Sequence, residues 1–440
     1  MVTFQSLTLA LGLGLTSGIL GLLAHRWAWI GWVVLAPLCA AIYLSPLLAA
    51  GLVGLLTGAL LAAPSVWGRF PFNRLLEVML TVLAAVVWGS ASALAALLWP
   101  KDNPAWGLLI FPLAIVGACA LLERQGGRLA NGPIVSQEGW LPAVHIARLG
   151  GDLAVSALLA LSAAVIATPL VALPPARDTI ITASAGAVIV ACALVFGAMS
   201  YRFRLRRVRR APLIRVAAVS VDAPSLGVVA IMPEGDVDGT IRRYESHVAR
   251  ALAEGAHVVV LPEVAVTVNA GSRQRWLDAL SAWAQQGKAV LAAGLFDTDT
   301  QLNQLVIADS TGEIAVTYDK QHPVRGGEPK RQRRMRPALL RSGIASVSGV
   351  ICYDLDYGDL VRPVSRAGGM LLVPSNDWKE YEEIHHRAAV WAAVTAGVPI
   401  VRSTGHGISA VYDAGGRVLA RASSFAGPVV LIADVPMASQ

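Results

Sequence analysis

The stretch SGVICYDLDYGD (residues 348–359) runs through a short apolar segment into a cysteine and then meets three acids. An apolar run that stops at a reactive side chain reads as a buried strand whose end opens into a crevice. Cys352 is the only cysteine beyond residue 200. The other three, Cys39, Cys119 and Cys192, lie in apolar spans, where a thiol behaves as a small hydrophobe. Two further runs end in the same way: HVVVLPE (257–263) stops at Glu263 and VTYDK (316–320) stops at Lys320. Were these three strands neighbours in one sheet, a thiol, a carboxylate and an ammonium would share one crevice. That set is chemically competent. A cation favours the thiolate, a carboxylate can take and return its proton, and the ammonium can hold an oxyanion.

The surrounding sequence predicts an α/β domain over 214–440. Runs such as IRVAAVSV (214–221), AVLAAGLF (289–296), GMLLVPS (369–375), PIVRSTG (399–405) and GISAVYD (407–413) read as strands. Between them, TIRRYESHVARALAEG (240–255) and EIHHRAAVWAAVTAG (383–397) have helical apolar spacing and end at glycine. DSTGEI and DAGGRV read as hairpin turns. Continuous apolar strands alternating with helices imply a sheet covered on at least one face.

The first 200 residues differ in kind. The chain is 55% hydrophobic and 15% charged, yet only 14 of its 65 charged side chains fall before residue 201. Apolar stretches at 6–24, 28–45, 47–65, 75–98, 105–122, 149–172 and 179–200 predict about seven membrane spans. Trp27, Trp29, Trp67, Trp99 and Trp106 sit near their ends, as interfacial anchors do. Residues 6–24 lack a basic start and a small-residue cleavage pattern, so they read as a first span rather than a cleaved leader. The arginine-rich stretch 201–213 reads as a linker. The net charge of +7 owes much to YRFRLRRVRR (201–210), which directly follows an apolar span, and KRQRRMR (330–336), which holds no aromatic. This points to a membrane surface rather than nucleic acid. No Cys or His spacing suggests a metal.

Together these residues resemble the nitrilase superfamily of carbon–nitrogen hydrolases: LPE around Glu263, YDKQHPVRGGE around Lys320 and ICYD around Cys352. The resemblance implies an αββα sandwich and a Glu-Lys-Cys triad, with Glu328 orienting Glu263 and Lys320 and the N–H of Tyr353 helping to hold an oxyanion. Several spans feeding such a domain resemble the apolipoprotein N-acyltransferase branch. WAWIGWVVLAPLCA (27–40), SND before Trp378 and RST before Gly407 fit it too. That branch implies a phospholipid acyl donor, a thioester on Cys352, a lipoprotein amine as acceptor and no cofactor. Asn376, Trp378 and His406 would then be candidates for substrate contact.

Four features depart from the branch pattern. Asp354 stands where the branch has glutamate, and ICYD is the form usual in soluble amidases of the superfamily. The segment after Glu328 is basic rather than apolar, a lid or a solvated loop. The chain ends at Gln440 without a final span. Arginines collect at one set of span ends, which places the catalytic half in the cytoplasm by the positive-inside rule, whereas the resemblance places it in the periplasm of a bacterial inner membrane. A membrane-tethered amidase or nitrilase acting on a small substrate is the alternative. His385 and His386 read as helix-face or surface residues.

Overall fold

The computed structural model describes residues 4–70, 73–127, 132–221, 236–324, 328–329, 335–337, 339–343, 345–365 and 369–437. It divides into two compact units, Met1–Arg202 and Phe203–Gln440.

Among the described residues, six helices are long and apolar enough to cross a membrane: Leu7–Ala24, Leu47–Val66, Arg74–Leu98, Pro104–Gly126, Asp152–Val171 and Arg177–Val208. Their large apolar side chains point outward, with Leu48, Leu75 and Met199 among the most exposed. Small residues lie at the contacts between helices. A Cβ on Gly54 would come within 2.7 Å of the Trp88 carbonyl oxygen, and one on Gly58 within 2.6 Å of the Trp88 Cβ. Such close approach is how helices associate where lipid replaces water as solvent.

The expected span over 28–45 is not a full crossing. It folds as a 3-10 turn, Ala28–Trp32, and a nine-residue helix, Ala36–Leu44, that starts beside Pro37. Nine residues rise only about 14 Å, against a hydrocarbon core of about 30 Å. The break between the two pieces is satisfied locally. Ser17 Oγ donates to the Val34 carbonyl at 2.8 Å and accepts from the Leu38 N–H at 2.9 Å. The count of candidate spans is therefore six rather than seven. Trp99 also departs from expectation: it is buried beside Tyr43, with ring centroids 5.1 Å apart, whereas Trp27, Trp29, Trp67 and Trp106 are exposed. The supposed linker is helical as far as Val208, since arginine and leucine are good helix formers.

The second unit contains two sheets. Strands are numbered β1 (Leu213–Ser220), β2 (Val258–Val260), β3 (Val266–Val268), β4 (Val290–Asp297), β5 (Leu302–Ala308), β6 (Ile314–Asp319), β7 (Leu339–Arg341), β8 (Ser346–Gly349), β9 (Met370–Ser375), β10 (Ile400–Thr404), β11 (Ile408–Tyr412), β12 (Val418–Ser423) and β13 (Val429–Pro436). One sheet runs β13-β1-β2-β4-β5-β6, with β3 beside β4, and the other runs β12-β11-β10-β9-β8-β7. The neighbours β1, β2 and β4 are parallel, as are β8, β9 and β10.

Alternate residues of the first sheet meet helices. Ala217, Val219, Val259, Leu261, Leu291 and Ala293 pack with Tyr244, Val248, Trp276, Leu280 and Trp283 of the helices Val237–Ala253 and Arg273–Gly287. Each such large apolar side chain contributes about 1.5–3 kcal/mol on burial. The intervening residues, Val216, Ala218, Val258, Val260 and Ala292, are equally buried on the opposite face, toward the second sheet. Ser403 Oγ on β10 donates to the Val219 carbonyl on β1 at 3.0 Å, joining the sheets directly. Helices Gly358–Ser365 and Glu382–Ala396 belong to the second sheet's layer. The result is the αββα sandwich.

Candidate active site

The strand ends do converge, but not within one sheet. Glu263 follows β2 and Lys320 follows β6, with β4 and β5 between those strands, while Cys352 follows β8 of the facing sheet. The crevice is thus closed from two sides, and its three groups are buried: Cys352 4%, Glu263 2% and Lys320 1% exposed.

Lys320 Nζ lies 2.7 Å from Glu263 Oε1 and 2.7 Å from Glu328 Oε1. The Asn303 amide on β5 donates to the same Glu263 oxygen at 2.7 Å. Among the described residues no side chain or N–H donates to Glu263 Oε2, which leaves that oxygen able to accept a proton. Burial alone would push the Lys320 ammonium down, yet the charges of Glu263 and Glu328 outweigh it and hold it well above its ordinary range. Burial, and then repulsion from Glu263, lift the Glu328 carboxyl to about 7 against the attraction of Lys320. Burial likewise raises the Cys352 thiol, helped by the charge of Glu263 and opposed by that of Lys320. The thiol therefore rests protonated and needs a base.

Two turns aim these side chains. Val264 (φ 49°) and Cys352 (φ 48°) both occupy the left-handed region. For a β-branched valine that conformation is a genuine outlier, held by its surroundings. The Gly294 N–H donates to the Pro262 carbonyl at 3.0 Å, and the Ala265 N–H donates to the Gly294 carbonyl at 3.0 Å. A Cβ at residue 294 would lie 2.5 Å from the Glu263 Cα. Gly294→Ala is therefore expected to displace Glu263 and cut turnover about 100-fold while the protein stays folded. Turnover near the wild-type level in this variant would show that the close packing at Gly294 does not set the Glu263 position.

Asp354 reaches its partners despite its short side chain. It accepts from the His322 N–H at 2.6 Å, the Gln321 N–H at 3.1 Å, the Tyr318 hydroxyl at 2.9 Å and the Ile351 N–H at 3.4 Å. These bonds fasten the cysteine turn to the chain just after Lys320. Burial nonetheless lifts its carboxyl to about 6. Tyr353 is the second residue of the 3-10 helix Cys352–Asp356, where an N–H has no intrahelical acceptor.

Of the residues expected to touch substrate, Asn376 is buried. Its carbonyl oxygen lies 3.5 Å from Cys352 Sγ, and its amide donates to the Glu263 carbonyl at 3.4 Å. The His406 N–H donates to Asn376 Oδ1 at 2.9 Å, so His406 sits behind Asn376. Trp378 stacks on Tyr381 at 4.7 Å. Of the basic segment 330–336, residues 330–334 lie outside the described residues.

Sequence reasoning missed two participants. Asn303 is the second residue of β5 and carries no motif. His385, read as a helix-face or surface residue, does lie on the helix Glu382–Ala396 but on its buried side, 2.7 Å from Asp377. Cys352, Asp377 and His385 offer three metal-ligand atoms within 4.8 Å of one another. The Arg402 guanidinium, 2.6 Å from Asp377 and 2.9 Å from His385, puts a positive charge where an ion would need to sit. The set does not suit a metal.

This fold, with a buried thiol, carboxylate and ammonium at its strand ends, agrees with a match to the carbon–nitrogen hydrolase family over residues 215–439. The chain belongs to that family. Among curated relatives, the carbon–nitrogen hydrolase chain is 26% identical over 268 residues to the apolipoprotein N-acyltransferase of Rhizobium meliloti (strain 1021), covering 52% of this chain and 50% of that one. It is 28% identical over 202 residues to the same-named protein of Pasteurella multocida (strain Pm70), covering 38% and 39%. The matches thus span half or less of these relatives' length. Among solved structures, an amidase from Nesterenkonia sp. AN1 aligns at 20% identity and a TM-score of 0.45, over 51% of this chain and 93% of that one.

Proposed function

We propose that this membrane protein is an acyltransferase that carries a phospholipid acyl chain as a thioester on Cys352 and delivers it to the N-terminal amine of a lipoprotein. The observation that carries the reading is the Lys320 ammonium held between two carboxylates beside a buried, protonated thiol, in a chain with six apolar helices and relatives named apolipoprotein N-acyltransferase. Glu263 Oε2 takes the Cys352 proton as sulfur attacks the ester carbonyl. Lys320 and the Tyr353 N–H hold the oxyanion, and Glu328 keeps Lys320 in place. As the ester C–O bond breaks, Glu263 returns the proton to the leaving lysophospholipid. The lipoprotein amine then attacks the thioester, its proton passes to Glu263, and the thiol is restored when that proton returns to the departing sulfur. Asn376 and Trp378 border the substrate, and His406 supports Asn376 from behind. The reading places the catalytic unit on the periplasmic face of a bacterial inner membrane, against the arginine bias. Protease digestion of inverted and right-side-out vesicles separates the two orientations.

The test is intact mass after incubating the purified protein in detergent with phospholipid. An acyl adduct that forms on the wild type, not on Cys352→Ser, and that neutral hydroxylamine removes is the expected result. The near-complete burial of Cys352 favours a second reading, hydrolysis of a small amide or nitrile. No adduct from phospholipid, together with ammonia release from a short aliphatic amide, would establish that reading instead.

A further inference from the structure

Behind Cys352 lies a buried group that the Glu263–Lys320–Cys352 arrangement does not use. His385 Nδ1 is 2.7 Å from Asp377 Oδ1 and 2.9 Å from Arg402 Nη2. Both contacts cannot be hydrogen bonds of one neutral ring. A carboxylate only accepts and so requires a proton on Nδ1, whereas a guanidinium only donates and requires a lone pair there. The shorter contact, to a charged acceptor, decides for a proton on Nδ1. Arg402 Nη2 is in any case committed to Asp377 Oδ2 at 2.6 Å. In the neutral ring Nε2 then carries a bare lone pair, and Nε2 is buried with no partner among the described residues. An unpaired buried acceptor is costly, and its presence calls for an explanation. The Cys352 sulfur, an Asp377 oxygen and a His385 ring nitrogen all lie within 4.8 Å of one another.

We propose that His385, oriented by Asp377, is a second proton acceptor for the Cys352 thiol, so that nucleophile, base and orienting carboxylate form a relay beside the Glu263–Lys320 pair. The inference rests on Cys352 being the nucleophile. In the step, the S–H bond breaks and its proton goes to Nε2, while the sulfur lone pair forms the bond to the acyl carbon. On collapse the ester C–O bond breaks, and the leaving alkoxide takes the proton back from Nε2. No change of oxidation state is involved. The Asp377 carboxylate favours the transient imidazolium and the Arg402 guanidinium opposes it, so the proton is lent rather than kept. The other groups around His385 are the Tyr381 ring, with centroids 5.7 Å apart, and Asp356, whose charge reaches Tyr381.

Alkylation of Cys352 by iodoacetamide in the full-length protein in detergent, read by peptide mass, tests this without any acyl substrate. In Glu263→Gln a residual rate should persist. His385→Gln should lower the wild-type rate about tenfold, and the double variant should fall to the background of an unassisted buried thiol. A folded His385→Gln protein alkylated within about twofold of wild type overturns the proposal. So does a Glu263→Gln protein alkylated no faster than an unassisted buried thiol, which decides alone should His385→Gln fail to fold. If Cys352 of the wild type resists alkylation while exposed Cys192 reacts, the nucleophile reading falls and this one with it.

Discussion

Replacing Lys320 with methionine should abolish acyl-enzyme formation and destabilise the catalytic unit by about 3–5 kcal/mol. Methionine nearly fills the space but leaves Glu263 and Glu328 buried without the cation that each now touches at 2.7 Å. Two carboxylates in one dry site cannot both ionise, so protons stay on them at neutral pH. Glu328, which titrates at about 7 even with Lys320 present, should move higher. A protonated Glu263 cannot take the thiol proton, and of the two groups opposite the oxyanion only the Tyr353 N–H remains. The pH dependence has a definite sign. Carboxyls whose pKa is raised by folding make the folded state bind more protons than the unfolded state, so stability falls as pH rises. The melting temperature of Lys320→Met should therefore drop steadily between about pH 5 and 8. In the wild type, Lys320 works the other way. Its raised pKa contributes stability that is fully present below its ordinary value near 10.5 and is lost only above it. Lys320→Arg restores the charge without the geometry and should recover part of the stability but little of the chemistry. A Lys320→Met protein that melts like wild type and still forms the adduct would remove the ion pair from the mechanism.

Much of this site was legible because charged residues at the ends of apolar runs are costly unless they are used. Glu263 and Cys352 each stop a buried run, Lys320 follows a strand that alternates between buried and exposed residues, and the structure draws all three into one crevice. How they meet was not legible. Periodicity identifies a buried strand without saying which sheet it joins, and here β2 and β6 face β8 across the sandwich instead of lying beside it. Asn303 and His385 escaped for a related reason. A lone polar residue at a strand start or on a helix carries no local sign of burial, and only tertiary packing shows that it is enclosed. The span over 28–45 misled in the opposite direction. Its composition is that of a crossing helix, but its backbone is interrupted and repaired by Ser17, a bond 17 residues away in sequence.

Arg402→Met carries the other large expectation, a loss of about 3–5 kcal/mol from one fully buried side chain. Arg402 Nη2 donates to Asp377 Oδ2 at 2.6 Å and Nη1 to the Ile408 carbonyl at 2.7 Å, which ties the chain after β9 to β10 and the start of β11. Burial would raise the Asp377 carboxyl, but the charge of Arg402, together with the hydrogen bond from His385, holds it below its usual range. In the wild type Asp377 therefore contributes stability that is present above its unfolded pKa and is lost as pH falls through the depressed folded value. In Arg402→Met the balance reverses, because burial now dominates and the carboxyl is raised. The variant's deficit relative to wild type should accordingly be largest at neutral pH and shrink toward about pH 4. The damage should reach the thiol as well, since the residue beside Asp377, Asn376, supplies the carbonyl 3.5 Å from Cys352 Sγ. Pairing the change with Asp377→Leu removes both charges and should recover most of the stability, since an apolar replacement of a complete buried pair is often neutral. It should not recover the chemistry, because His385 then loses the carboxylate that fixes its tautomer. Thermal unfolding of the two variants across pH, together with the rate of Cys352 alkylation, separates these effects. A double variant that regains both stability and wild-type thiol reactivity would reduce Asp377 and Arg402 to packing.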